Sequence, residues 1–169
     1  MNLLLLGNGV SMVGCIIMVA IGFLKKKSHI LAAQSVQCLF MGVGNLVLGG
    51  VSGFIANIVS VLRNLVFAKW QPNWMLKVGF IALQVLLSLS SLSGGWIAWL
   101  PIVAAALFTW FLDTQSEELL KIIIIVTMVM WLTYDIYYHN YVASFFDVLT
   151  ILSNTMGFFM VRKEKEKAN

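Results

Sequence analysis

Long apolar segments follow one another along the whole chain, separated only by short polar or glycine-rich stretches. Hydrophobic residues make up 60% of the 169 residues and charged residues 11%, whereas a soluble domain carries about 25% charged residues. A water-soluble fold of this size could not hide so much apolar surface. A transmembrane helix needs roughly 20 apolar residues, so the length allows about seven. The sequence therefore predicts an all-α integral membrane protein with seven transmembrane helices.

The polar and glycine-rich stretches set the bounds of these predicted spans. Gly49-Gly50 separates the second span from the third, because one helix over residues 28–69 would measure about 63 Å, twice the hydrocarbon thickness. Pro72 lies in the polar stretch that follows the third span and breaks the helix there. The predicted spans cover residues 3–24, 29–48, 52–68, 75–92, 96–112, 119–138 and 142–161.

Positive charge collects on one side of the seven spans. Arg63 lies inside the third span, and the other ten Lys and Arg residues fall at a single membrane face. Cytoplasmic loops are enriched in Lys and Arg, so this face is predicted to be cytoplasmic, with the N-terminus outside and the C-terminus inside. Trp70 and Trp74 then lie at the inner interface, and Trp96 and Trp99 at the outer one. The ten residues are Lys25, Lys26, Lys27, Lys69, Lys77, Lys121, Arg162, Lys163, Lys165 and Lys167.

Polar residues inside the spans recur after 90 positions, which indicates an internal repeat. Because an even number of crossings separates the copies, they run the same way through the membrane, as in parallel-repeat transporters. The predicted domains are a first three-helix bundle (1–70), a linker helix (71–94), a second bundle (95–162) and a cytoplasmic tail (163–169). The coinciding pairs are Asn57 with Asp147, Ser60 with Thr150, Asn64 with Asn154, and Asn45 with Asp135.

Two polar stripes are the predicted substrate-binding residues. Members of each stripe are three or four positions apart and share one helical face. Polar groups in hydrocarbon are costly and usually face a bundle interior or an aqueous cavity. Interhelical hydrogen bonds that only hold the bundle together are the alternative. The stripes are Asn57, Ser60 and Asn64 in the third span, and Asp147, Thr150 and Asn154 in the seventh.

Charged residues within the spans are predicted to serve gating or coupling. Asp147 lies about 9 Å below the outer end of its helix, where it could bind a cationic or hydroxyl-rich solute or carry a coupling proton. Asp135 is closer to the outer end and could instead reach water. Arg63 has three alternatives: a counter-charge to Asp147, a side chain that snorkels to the inner interface, or a binding group for an anion.

Three further residues complete the predicted site. Trp131 lies at mid-depth and is either a stacking wall for a ring-shaped ligand or core packing, and Tyr134 could extend that wall. Pro101 permits a kink in the fifth span and is a candidate rocking hinge. Cys15 and Cys38 are predicted to be packing residues. No catalytic motif or metal-ligand spacing is present, so neither an enzyme, a cofactor nor a metal is expected.

Several stretches resemble the YgjV-type family of bacterial inner-membrane proteins. They are Ser60-Val61-Leu62-Arg63-Asn64-Leu65-Val66-Phe67, Leu100-Pro101-Ile102, and Trp131 to Tyr134. That group in turn resembles the SWEET, PQ-loop and PnuC transporters, which implies a three-plus-one-plus-three helix arrangement. The resemblance implies that an Asn on the third helix of each bundle and a Trp on the second hold the substrate. The matching positions are Asn57 or Asn64, Asp147 or Asn154, and Trp131.

The two halves are not equivalent in this resemblance. The first span has no proline to match Pro101, and the position that corresponds to Trp131 is Met41. We therefore expect a small-solute transporter, a facilitator or proton-coupled, that works by rocking of two bundles around a midplane site. A neutral polar ring compound is the favoured solute. The alternatives are a non-transporting scaffold or regulatory protein, and a substrate-capture subunit of a larger uptake complex. The expected partners are the lipid bilayer and a small polar solute, with further copies of the chain as a candidate partner, and no nucleic acid.

Overall fold

The computed structural model describes the backbone of residues 2–21 and 27–168, and the regular elements in this part of the chain are all helices joined by short turns. Side chains are described within these ranges except at residues 27–28, 90, 92–94 and 164–168. A 3₁₀ segment, Leu89–Ala98, leads into the fifth α-helix. The α-helices are α1 (Leu3–Ile21), α2 (Lys27–Val47), α3 (Val51–Lys69), α4 (Trp74–Ser88), α5 (Trp99–Phe111), α6 (Glu117–Tyr137) and α7 (Tyr141–Ala168).

Five of the described helices are long and apolar enough to cross a membrane, namely α1, α2, α3, α6 and α7. The other two predicted spans form shorter apolar helices, Trp74–Ser88 and Gly95–Phe111. The serine- and glycine-rich stretch between them forms 3₁₀ turns that are interrupted at Gly95, whose φ of 74° and ψ of −159° are non-helical, a conformation that glycine adopts without steric cost. The α-helix of the predicted span 75–92 is therefore shorter than expected and ends at Ser88.

Other ends also differ from the sequence-based bounds. Helix α7 continues to Ala168, beyond the predicted end of the seventh span at residue 161, because the charged stretch that follows contains no glycine or proline. The predicted end of the first span, with Lys25 and Lys26, lies outside the described residues, as does Asn169.

The helices pack as a ring with one additional helix outside it. Neighbours in the ring are α1 and α2, α2 and α3, α3 and α5, α5 and α6, α6 and α7, and α7 and α1, while α4 packs on α3 and α5. We call the end where α2 joins α3 and α6 joins α7 the turn end. The opposite end carries Lys69, Lys77 and Lys121 and is called the basic end. There an ion pair between Lys77 and Asp113 joins the start of α4 to the end of α5.

The two connections at the turn end have the same backbone hydrogen bonds, 90 residues apart. The Gly50 N–H donates to the Asn45 carbonyl at 2.7 Å, and the Asn140 N–H donates to the Asp135 carbonyl at 2.8 Å. This bond from the second residue after the C-cap back to the last helical turn is the mark of a Schellman motif. The residue before the donor has positive φ in both, 88° at Gly49 and 59° at His139. The two turns thus share one local geometry at positions that the predicted repeat would superimpose.

His139 is the strained member of this pair, because a side chain in the left-handed region costs roughly 1–2 kcal/mol. We expect His139→Gly to raise the free energy of unfolding by about 0.5–1 kcal/mol, since glycine removes the strain but gains entropy in the unfolded chain. Thermal unfolding in detergent measures the effect. Gly49→Ala is the matched control and should lower stability by about 1 kcal/mol. A lower melting temperature for His139→Gly would contradict this account.

Candidate functional site

A cavity of about 270 Å³ lies inside the ring, and all six ring helices line it. It extends from Asp135, near the turn end, to Ile21, the last residue of α1 at the basic end. Its volume is close to the lower end of the range for small-molecule sites. Its polar wall includes Gln34, Gln37, Asn57, Ser60, Arg63, Asn64, Thr127, Asp135, Asp147 and Thr150.

The predicted stripe on α3 lines this cavity completely. Asn57, Ser60 and Asn64 all lie on its wall. The Asn57 amide donates to the Gly53 carbonyl at 2.9 Å, and Asn64 Oδ1 accepts from Arg63. The Asn64 side chain lies on the cavity wall, where its amide N–H could donate to a solute.

The predicted stripe on α7 is divided. Asp147 and Thr150 line the cavity, whereas Asn154 does not. The Thr150 hydroxyl donates to the Phe146 carbonyl at 2.9 Å, and the Asn154 amide donates to the Thr150 carbonyl at 2.8 Å. Asn154 thus satisfies its amide on its own helix, away from the cavity, although its repeat partner Asn64 faces the cavity.

Arg63 is only 5% exposed and is held by neutral groups. Its Nη1 donates to Thr109 Oγ1 on α5 at 2.9 Å, and its Nε and Nη2 donate to Asn64 Oδ1 at 3.2 and 3.0 Å. The guanidinium carbon lies 5.3 Å from the centre of the Phe108 ring. Of the three sequence-based alternatives, the structure does not place Arg63 in an ion pair with Asp147, and its contacts with α5 hold it within the bundle.

Asp135 and Asp147 form a buried carboxyl pair at the turn end of the cavity. They are 1% and 7% exposed, and their side chains lie within hydrogen-bonding reach of each other. Both oxygens of Asp135 and Oδ2 of Asp147 lack a well-formed hydrogen bond from the described residues. Two adjacent buried carboxylates without a cation repel each other and lose hydration. A shared proton relieves both costs, because a carboxylic acid can donate to a carboxylate.

Tyr134 is fully buried and ties α6 to α3 beside the cavity. Its phenolic oxygen accepts from the Gly53 N–H at 2.8 Å and lies 3.1 Å from Ser52 Oγ. Glycine is required at position 53 because a Cβ there would lie 2.6 Å from Tyr134 Cε1. Tyr134 does not line the cavity, so it acts in the structure as a contact between the two halves.

Two asparagine contacts join the halves at the same end. Asn140 Nδ2 donates to Asn45 Oδ1 at 3.0 Å, and both residues are fully buried. On α1, Asn8 donates to the His139 carbonyl at 2.9 Å and accepts from the Val142 N–H at 3.0 Å. With Tyr134, these contacts close the turn end of the ring.

Trp131 and Pro101 occupy different environments. Trp131 lines the cavity and packs edge-on against Tyr134, with ring centroids 5.9 Å apart. Pro101 is buried at the third residue of α5, just after the 3₁₀ segment, and has no N–H to donate to the preceding turn. Its role as a hinge stays a prediction.

Sequence reasoning missed several residues that the structure brings to the site. Cys15 and Cys38, which were predicted to be packing residues, line the cavity. Thr109 holds Arg63, and Asn140 and Asn8 close the turn end. Thr109 could have been found as a rare polar residue in the fifth span, at a level where Arg63 needs a partner. The asparagines could not, because their partners are up to 134 positions distant.

Apolar membrane-length helices around a polar cavity define an α-helical integral membrane protein. Residues 5–165 match the Imp-YgjV family, described as a bacterial inner membrane protein, and the chain therefore belongs to this family. The match confirms the predicted family and the bacterial inner membrane as its location. No curated protein and no solved structure matches the chain.

Proposed function

We propose that this protein is a small-solute transporter in which two three-helix bundles rock around the central cavity. The observation that carries the proposal is the cavity itself, because polar and charged side chains from both halves line it. Such groups are costly in a membrane and are typical of substrate and ion pathways. In the proposed arrangement α1–α3 and α5–α7 are the bundles, α4 is the linker, and all seven helices cross the membrane.

The pattern of helix contacts supports a two-fold arrangement of the bundles. At a shift of 90 residues α1, α2 and α3 correspond to α5, α6 and α7. The contact between α3 and α5 then corresponds to the contact between α7 and α1. The matching turns at Gly50 and Asn140 support the same correspondence. In parallel-repeat transporters the solute site lies at the interface of such repeats.

The turn end is the extracytoplasmic end in this proposal, because Lys69, Lys77 and Lys121 lie at the opposite end and cytoplasmic loops are rich in Lys and Arg. The N-terminus is then outside and the C-terminus inside. Tyr134 and the Asn45–Asn140 bond close the outer side, while the cavity reaches Ile21 at the inner end. In this proposal the closed turn end belongs to an inward-facing state, and opening of these outer contacts would give the outward-facing one.

The carboxyl pair supports proton coupling over simple facilitation. Asp135 and Asp147 line the same cavity as the predicted solute-binding residues, and a shared proton removes one of the two negative charges that a buried pair without a cation would otherwise hold. A proton that enters and leaves this pair as the cavity changes sides would couple solute movement to the proton gradient. The other titratable groups near the pair are Cys15 on α1 and Tyr134 on α6. Helix α5 carries no titratable group. Arg63 and Cys38 lie close to each other, deeper in the bundle.

Substitution of Asn64 and of Asn154, which occupy equivalent positions in the predicted repeat, tests the site. We expect Asn64→Ala to lower solute binding and transport by at least about tenfold, because it removes a cavity amide and an acceptor for the Arg63 guanidinium. Thermal-shift titration with nucleosides, vitamins, sugars and carboxylic acids, followed by uptake into proteoliposomes, measures both.

Asn154→Ala is the matched control, since Asn154 does not line the cavity, and it should leave binding and transport within about twofold of the wild type. A non-transporting scaffold predicts the opposite pattern. Both substitutions would then lower thermal stability, and neither would change binding of any solute. That result would remove the proposed site.

A further inference from the structure

We propose that the solute carries an anionic group, a carboxylate or a phosphate, that binds the Arg63 guanidinium. This inference deepens the proposed transport function and rests on it. Arg63 is nearly buried, lines the cavity and is bound only by neutral groups, Thr109 and Asn64. Its charge therefore lacks a partner of opposite sign among the described residues.

Burial of an unpaired guanidinium is expensive, and buried charges in proteins are normally paired. The carboxyls that line the same cavity as Arg63 are Asp135 and Asp147. Counted from the first residues of α3 and α7, Arg63 lies about 18 Å and Asp147 about 9 Å below the turn end. The two backbone positions therefore differ by about 9 Å along the bundle axis. In the described part of the chain the guanidinium bonds to Asn64 and Thr109 and not to either carboxyl, and Asp113 pairs with Lys77 at the basic end.

The guanidinium also has donors to spare. It carries five N–H groups, and three are used by Thr109 and Asn64. The free N–H groups lie on a side chain of the cavity wall, where a carboxylate or phosphate oxygen could accept from them. Bidentate binding of such oxygens is the strongest interaction that arginine makes with small anions.

The neighbouring groups hold the guanidinium in place before a solute binds. Asn64 accepts two of its hydrogen bonds, Thr109 accepts a third, and the Phe108 ring faces the cation. A fixed orientation lowers the entropic cost of binding. Trp131 lines the same cavity nearer the turn end. It offers an apolar face for the rest of the solute, so an anion with a flat or apolar body fits best.

Matched pairs of ligands test this assignment without any need for transport. Nicotinate with nicotinamide, and benzoate with benzamide, share a ring and differ in charge, and phosphate tests the anion alone. We expect the anions to raise the melting temperature of the purified protein in detergent. The carboxylates should bind at least about tenfold more tightly than their amides, since a hydrogen bond to a charged group is much stronger than one to a neutral group.

Two substitutions assign the preference to Arg63. Arg63→Gln should abolish the preference for carboxylates, whereas Arg63→Lys should keep part of it because the positive charge remains. Equal binding of amides and carboxylates, or a preference that survives Arg63→Gln, would overturn the proposal, as would failure of every anion to bind. Binding and transport of neutral solutes alone would refute the anion site but leave the proposed transport function intact.

A direct probe of local charge covers the case in which Arg63→Gln fails to fold. Cys38 lies close to Arg63, and Cys15 lies close to Asp135 and Asp147. This probe uses protein that keeps Arg63 and has a single cysteine, because the other cysteine is replaced by alanine. At each thiol we measure the rate of reaction with an anionic reagent divided by the rate with its cationic analogue. This ratio should be higher at Cys38 than at Cys15. The same ratio of rates at both thiols, or no reaction at Cys38, would contradict an accessible positive site.

Discussion

Replacing both cavity carboxyls, Asp135→Asn with Asp147→Asn, is expected to abolish uphill accumulation of solute while exchange of solute across the membrane continues. Asparagine keeps the size and hydrogen-bonding capacity of each side chain but cannot carry a proton. Accumulation driven by a proton gradient should fall to the level of equilibration. The thermal stability of the wild type should decrease as rising pH ionises the pair, because two like charges then lie buried together. The double variant should lose this pH dependence.

Asp113→Asn is the control for this substitution. Asp113 is 44% exposed and pairs with Lys77 at the basic end, outside the cavity. Its replacement should cost at most about 1 kcal/mol, as for other surface ion pairs, and should leave accumulation unchanged. Accumulation by the double variant equal to that of the wild type would contradict proton coupling through the pair. Dependence on sodium in place of a proton gradient would contradict it as well.

The second large effect that we expect comes from removing the phenolic oxygen of Tyr134 at the turn end. Tyr134→Phe leaves the Gly53 N–H without its acceptor, and an unpaired buried donor costs about 1–3 kcal/mol. Because the bond joins the two halves, its loss should lower thermal stability and also favour the state that is open at the turn end. Labelling of Cys15 from the extracytoplasmic side, in protein with Cys38→Ala, measures this opening. The rate should rise by about fivefold or more if the bond contributes about 1 kcal/mol to closure.

Tyr137→Phe is the matched control, because Tyr137 lies on the same helix but is 56% exposed. It should change neither stability nor labelling. Equal labelling of Cys15 in the wild type and in Tyr134→Phe would show that Tyr134 stabilises the fold without gating the cavity. A rise in labelling with both tyrosine variants would indicate general loosening of α6.

The helical membrane class and most of the polar cavity wall could be predicted from the sequence, because both depend on local patterns. Apolar segments of membrane length follow directly from the cost of unpaired backbone groups in lipid. Polar residues three and four positions apart predict a shared face, and Asn57, Ser60 and Asn64 do line the cavity. The repeat extended this reasoning to Asp147 and Thr150.

The remaining features depend on contacts that no local pattern contains. The repeat predicted equal roles for Asn64 and Asn154, but the halves differ in sequence, and Asn154 faces away from the cavity. Asp135 could have reached water from its position near a helix end, yet the α6–α7 turn and its neighbours bury it. The 3₁₀ segment shortens α4 because serines and glycines favour turns over α-helix, a tendency whose extent the sequence does not reveal.

Counterflow across reconstituted proteoliposomes tests the central claim most directly. Vesicles loaded with an unlabelled solute that stabilises the purified protein are diluted into a trace of the same solute carrying a label. A transporter that alternates between two states predicts transient accumulation of label in wild-type vesicles and at least about tenfold less with Asn64→Ala. Entry of label at the rate of protein-free liposomes, with folded wild-type protein in the membrane, would contradict the account.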